Sequence, residues 1–128
     1  MHRLSIVILF ISCFMSASGQ DEAIDSLRTV LKSTMPDSSR VSTLLALSAK
    51  YYRTDADEAR RLATEAKALA EKNNLMKGVA LAYKAIGMSY YYHEQRVDAL
   101  VQWKLALETF RAANDQSGVS NMLNNLGA

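Results

Sequence analysis

A spacing of about forty residues constrains the fold of this chain more than any other feature of its sequence. Small and turn-forming residues recur at this spacing: Asn74 with Asn114, Gly78 with Gly118, Ala59 with Ala99, Ala66 with Ala106, and Ile86-Gly87 with Leu126-Gly127. Helical composition alone does not place small residues at fixed distances. The pattern therefore indicates similar units that stack side by side, which is typical of repeat proteins.

Each unit contains two helical patterns. In the second unit, two apolar stripes have the spacing of one helix face: Val79, Tyr83, Ile86 and Tyr90 in the first helix, then Leu100, Trp103, Leu107 and Phe110 in the second. Glycine inside a helix costs about 1 kcal/mol relative to alanine. We therefore expect Gly87 to lie where a neighbouring helix packs directly against its backbone.

The predicted helix ends carry suitable residues. Asn74 and Asn114 can adopt the left-handed conformation that terminates a helix. Asp115 then suits the N-cap of the next helix, and residues 36–40, PDSSR, predict a similarly capped start for the first helix of the first unit.

Two sets of residues resemble the tetratricopeptide repeat, in its variety of about forty residues per unit. The stronger set is Tyr83, Ile86, Gly87, Tyr90, Ala99, Trp103 and Ala106, and the weaker copy is Leu44, Leu47, Ser48, Tyr51, Ala59, Ala63 and Ala66. Glu94 departs from the family pattern, which commonly has glycine in that loop, and no proline closes the units. The resemblance covers residues 38–128 and implies an all-α fold of antiparallel helix hairpins stacked as an α-solenoid.

The repeat domain divides into units at residues 38–74 and 75–114 and an incomplete unit at 115–128, which is about 2.5 repeats plus an N-terminal capping helix. That capping helix lies in residues 20–37, with Ile24, Leu27 and Leu31 on its apolar face. In the incomplete unit, we expect Met122 and Leu126 to face a helix that is missing. We therefore expect the chain to be the N-terminal part of a longer protein; a complete small protein with a modest terminal lid is the alternative.

Residues 1–19 have a short basic start, an apolar run from Leu4 to Met15, and small residues at the expected cleavage positions. This is typical of a secretory signal peptide, because the apolar run is shorter than the roughly twenty residues that span a bilayer. A membrane anchor and a lipoprotein processed at Cys13 are the alternatives. We expect the chain to be exported to the periplasmic or extracellular side of the membrane.

The resemblance also implies a binding surface, because the first helix of each unit lines the concave side in this family. The side chains carried over as a peptide-binding set are Tyr52, Lys84, Met88, Tyr91, Asn121 and Asn124. Leu45 and Ala49 have equivalent positions, and Leu81 is assigned to packing between repeats. Packing is an equal alternative for Tyr91 and Asn124.

No residue pattern predicts a catalytic, cofactor or metal site. The formal net charge of +2 and the lack of a long Lys/Arg cluster do not favour nucleic acid. His93 has no patterned carboxylates beside it, and residues 55–58, DADE, lack the glycine and distant glutamate of a calcium loop.

Three functions remain open. The first is an exported, non-catalytic module that binds a protein or peptide segment. The second, implied by the resemblance, is the N-terminal sensory region of an enzyme such as a membrane histidine kinase or nucleotide cyclase, attached to the membrane through a later segment. The third is a self-standing periplasmic scaffold.

Overall fold

The computed structural model describes residues 19–127, and every regular element in that range is an α-helix. In chain order the helices are α1 (19–31), α2 (Asp37–Tyr51), α3 (Ala56–Lys72), α4 (Met76–Tyr91), α5 (Arg96–Ala112) and α6 (Gln116–Leu126). The predicted all-α class is confirmed. The predicted signal peptide lies outside the described residues except for Gly19. None of the helices in the described range is long and apolar enough to cross a membrane.

Helices α2 and α3 form an antiparallel hairpin. The Ser48 hydroxyl donates to the Ala59 carbonyl at 2.7 Å near the turn, and the Asn73 amide donates to the Asp37 carboxylate at 2.8 Å at the open end. The first contact joins the end of α2 to the start of α3, and the second joins the start of α2 to the end of α3. The two helices therefore run in opposite directions.

Helices α4 and α5 form the second hairpin, and Gly87 of α4 is in close contact with α5. A methyl group at Gly87 would lie closer than 3.0 Å to the indole ring of Trp103, which is only 4% exposed. The indole Nε1 donates to the Lys84 carbonyl at 3.3 Å. The expected packing of a helix on the Gly87 backbone is confirmed. Gly118 of α6 contacts the ring of Phe110 of α5 in the same way.

Helices α2 and α4 lie side by side and run in the same direction. Near their starts, a methyl group at Gly78 would lie 3.2 Å from Val41, and just beyond their ends the rings of Tyr52 and Tyr92 stack at 6.2 Å. Helix α3 packs antiparallel to α4, with the Lys67 ammonium 4.9 Å from the centre of the Tyr83 ring. Helix α4 is therefore enclosed by neighbours on most of its surface.

Helix α1 covers one side of the first hairpin. Its half-buried Ile24, Leu27 and Leu31 pack against the buried cluster that contains Val41 and Leu44. The Arg28 guanidinium donates to the Tyr51 hydroxyl at 2.7 Å and pairs with Glu58 at 3.3 Å. These contacts agree with the predicted role of this helix as a cap.

Most of the predicted helix ends are present. Asn74 and Asn114 both have φ of 54°, and the Asp115 side chain accepts from the Gly118 N–H at 3.1 Å. Helix α2 differs from the prediction, because Pro36 occupies its N-cap and no side chain caps it. Proline has no side-chain acceptor, so Asp37 contributes only as a charge in the first turn.

Two predicted side-chain environments are wrong. Met122 does not face a missing helix: it is fully buried among Trp103 and Phe110, because α6 packs closely on α5 through Gly118. Burial of a side chain of this size stabilises the fold by about 1.5–3 kcal/mol. Leu100 shares the helical spacing of the buried Trp103, Leu107 and Phe110 but is 40% exposed, because no described helix covers its side of the first turns of α5.

Candidate functional site

An apolar groove of about 730 Å³ lies between α2 and α4. Helix α2 and the residue after it supply one wall: Ser38, Val41, Ser42, Leu45 and Tyr52. Helix α4 supplies the other wall: Met76, Lys77, Gly78, Leu81, Lys84 and Ala85. Leu75 and Ala113, both in loops, complete the lining.

The groove walls combine small and large apolar residues. Gly78 allows α4 to approach α2 closely, since a methyl group there would lie 3.2 Å from Val41, while Leu45 and Leu81 provide apolar surface on opposite walls. The side chain of Leu81 is large and apolar, yet it is 43% exposed. Leu81 therefore lines the surface of this groove, in contrast to the predicted packing between repeats.

The predicted binding residues do not all lie together. Tyr52 and Lys84 line the groove. Met88 is half-buried against the core cluster, and Tyr91 is exposed with its ring 5.5 Å from that of Trp103.

The two asparagines of the predicted set lie on α6. Asn121 and Asn124 are both exposed there, on a helix that contributes nothing to the groove lining.

Tyr52, at one end of the groove lining, is packed against residues that follow α2 and α4. Tyr92 stacks on Tyr52, the Arg53 guanidinium lies 4.8 Å from the centre of the Tyr92 ring, and His93 Nε2 lies 3.1 Å from the Tyr52 carbonyl oxygen. Tyr92 is not among the binding residues predicted from the sequence. Its position forty residues after Tyr52, directly after the equivalent helix, is the signal that could have identified it.

The groove carries positive charge. Lys77 and Lys84 are the charged residues of its lining. Tyr52 is neutral at physiological pH like any tyrosine, and burial, and secondly the neighbouring Tyr92, raise its pKa further, from 10.0 to about 12. The Lys77 ammonium lies 4.0 Å from the Asp115 carboxylate, with its side chain 66% exposed. A pair at this distance in solvent is weak, so Asp115 leaves most of the lysine's charge available.

A second exposed feature lies outside the groove, on the first turns of α5. Val97 is 75% exposed, Leu100 40% and Val101 51%; we call these three residues the α5 stripe. Their counterparts forty residues earlier are Asp57, Arg60 and Arg61. The same positions are thus charged in the first hairpin and apolar in the second, and alignment of the units would have revealed the difference.

Metal-binding geometry is absent from the described range, where no three His, Cys, Asp or Glu side chains come together. Comparison of the chain with protein-family models, with curated proteins and with solved structures finds no significant match.

Proposed function

We propose that this protein is an exported, non-catalytic interaction module of the tetratricopeptide type, which binds an extended segment of another protein in the groove between α2 and α4. The observation that carries the proposal is the groove itself: apolar walls, a few polar groups and a volume of about 730 Å³. Binding sites for small ligands and peptide side chains commonly have this composition and size.

The length of the groove suits a short peptide. Ser38 and Tyr52 are fourteen residues apart on α2, which corresponds to about 21 Å at about 1.5 Å per residue. An extended segment of about six residues has this length, at about 3.3 Å per residue. Leu81, which is 43% exposed, and the partly buried Leu45 would contact apolar side chains of such a segment.

Repeat stacking as an α-solenoid is part of the proposal. It is supported by two equivalent contacts, Gly78 against Ala70 and Gly118 against Phe110, each of which joins the first helix of one unit to the second helix of the unit before it. The parallel direction of α2 and α4 supports it as well. Export is proposed from the signal-like residues 1–19.

A peptide selection tests the binding proposal. Short random peptides would be selected on the purified chain, and the selected peptides measured by fluorescence polarisation against the wild type, Leu81→Gln and Leu100→Gln. The two leucines are matched, because one lies in the groove at 43% exposure and the other outside it at 40%. Leu81→Gln should weaken binding at least tenfold, and Leu100→Gln should leave it unchanged. Selection of no peptide, or equal loss in both variants, would refute the proposal.

The α5 stripe favours a second candidate function: these residues are the sensory region of a longer signalling protein, in which a further helix of the same polypeptide covers the stripe. In the first hairpin, the equivalent residue Arg60 lies over the Tyr90 ring of α4 at 4.5 Å. Leu100 has the position of Arg60, and exposed apolar residues grouped on one face are typical of a covered surface. Membrane attachment would then come from a later segment.

The gene sequence after the codon for Ala128 separates the two candidates. Codons for a further helix, a membrane-spanning segment and a catalytic domain would support the sensory-region proposal. A stop codon close to Ala128 would refute it and leave the self-standing module or scaffold.

A further inference from the structure

The charges in the groove define the chemistry of a segment that could bind there. Lys77 and Lys84 both lie on α4, and among the described lining residues there is no carboxylate. A ligand with basic side chains would bring like charges together in this partly enclosed space, whereas acidic side chains would form ion pairs.

The spacing of the two lysines adds a distance. They are seven residues apart, which is two helical turns, so they lie on the same side of α4 about 10 Å apart along its axis. An extended peptide in the polyproline II conformation has three residues per turn and rises about 3.1 Å per residue, so its residues i and i+3 lie on the same side about 9 Å apart. Leu81 lies between the two lysines on α4, with Leu45 on the opposite wall.

We infer that the groove recognises an extended peptide segment in which two apolar residues lie between two acidic ones. The inference rests on the proposed peptide-binding function and names its ligand class. The acidic side chains pair with Lys77 and Lys84, and the apolar side chains contact Leu45 and Leu81. A free inorganic anion would satisfy the lysines but would leave the apolar walls without a partner.

The state of the remaining polar groups agrees with this arrangement. Tyr52 is neutral at physiological pH, so it adds no negative charge to the groove. The backbone carbonyl of Lys84 accepts a hydrogen bond from the Trp103 indole at 3.3 Å. The Lys84 side chain forms no ion pair with the described residues. Its ammonium is therefore available to a ligand.

Three labelled peptides test the inference. In each, two leucines lie between two flanking residues, which are glutamates, glutamines or lysines. We expect the glutamate peptide to bind the wild-type chain about five- to tenfold more tightly than the glutamine peptide, as expected of two partly exposed ion pairs, and the lysine peptide to bind most weakly. Added salt should reduce the difference between the three.

Variants assign the effect to the groove. Lys77→Gln and Lys84→Gln should each remove part of the preference for glutamate, whereas Lys72→Gln, on the exposed last turn of α3, should not. Equal binding of the glutamate and glutamine peptides would overturn the acidic specificity while leaving groove binding intact, provided that Leu81→Gln still weakens both. Failure of all three peptides to bind would also overturn the inference, and the selection with random peptides would then decide whether the groove binds peptides at all.

Discussion

The substitution Gly87→Ala tests the packing on which the second hairpin depends. In an unobstructed helix this change stabilises by about 1 kcal/mol, because alanine has the higher helix propensity. In this protein the new methyl group would lie closer than 3.0 Å to the buried ring of Trp103. Insertion of a methyl group into a well-packed site typically costs about 1–3 kcal/mol.

A further cost comes from the indole hydrogen bond. If the ring moves to make room, the bond from its Nε1 to the Lys84 carbonyl, now 3.3 Å, lengthens and loses about 1 kcal/mol. We therefore expect Gly87→Ala to lower the free energy of unfolding by about 1–2 kcal/mol. The midpoint of thermal unfolding should fall by about 4–8 °C for each 1 kcal/mol, in a domain of this size.

A double-mutant cycle supplies the control. Trp103→Leu removes the ring that obstructs the methyl group, so in that background Gly87→Ala should be neutral or stabilising. Urea unfolding followed by circular dichroism at 222 nm measures all four proteins. A steric conflict between the new methyl group and Trp103 is ruled out if Gly87→Ala is as stable as the wild type, or if its effect is the same with and without Trp103.

Three further predictions concern single positions. Glu94 has φ of 61°, a conformation that costs a residue with a side chain about 1 kcal/mol. Glu94→Gly should therefore raise the free energy of unfolding by about 0.5–1 kcal/mol, while Glu94→Ala leaves it nearly unchanged. Equal effects of the two substitutions would contradict the assignment to backbone strain. Asp55 caps α3 by accepting from the Glu58 N–H at 3.1 Å. In chemical denaturation, Asp55→Ala should lower the free energy of unfolding by about 1 kcal/mol and Asp55→Asn by much less. A similar loss of stability in both variants would argue against the cap. The pKa of Tyr52 is raised from 10.0 to about 12, so its neutral form stabilises the fold below pH 10 and this contribution is lost as the pH rises toward 12. Absorbance at 295 nm would be titrated with pH for the wild type and for Tyr52→Phe, and the second curve subtracted from the first. The midpoint of the difference should lie near pH 12, whereas a midpoint near pH 10 would show that the ring is not buried.

The helices and their closest contacts could be predicted from the sequence, because they depend on local signals that recur at the repeat spacing. Gly87 is an example: glycine inside a strong helix pattern has a cost, so a close neighbour is expected, and Trp103 is that neighbour. The left-handed Asn74 and Asn114 are a second example, since their side chains tolerate that conformation better than most.

The environments of Leu100 and Met122 could not be predicted, because they depend on which helix covers each stripe rather than on the stripe itself. Both residues have the helical spacing of a core face, yet Leu100 is 40% exposed and Met122 is fully buried. Their environments differ because α6 packs closely against α5 at Gly118 and Phe110. Helix α6 therefore covers only the later turns of α5.

The candidate site was predicted only in part for a similar reason. Family positions indicated the helix faces that contain Tyr52 and Lys84, but the groove also depends on Leu45 and Leu81, which lie on opposite walls. Whether these two side chains meet or leave an open space between them depends on the distance between α2 and α4. The sequence contains no direct signal for that distance.

A titration by nuclear magnetic resonance tests whether a peptide binds in the groove. Amide spectra of the chain would be recorded with increasing amounts of the glutamate-flanked peptide. We expect shift changes to concentrate on the groove residues of α2 and α4, around Ser42, Leu45, Leu81 and Lys84. Changes confined to the α5 stripe, or no changes at saturating peptide, would contradict binding in the groove.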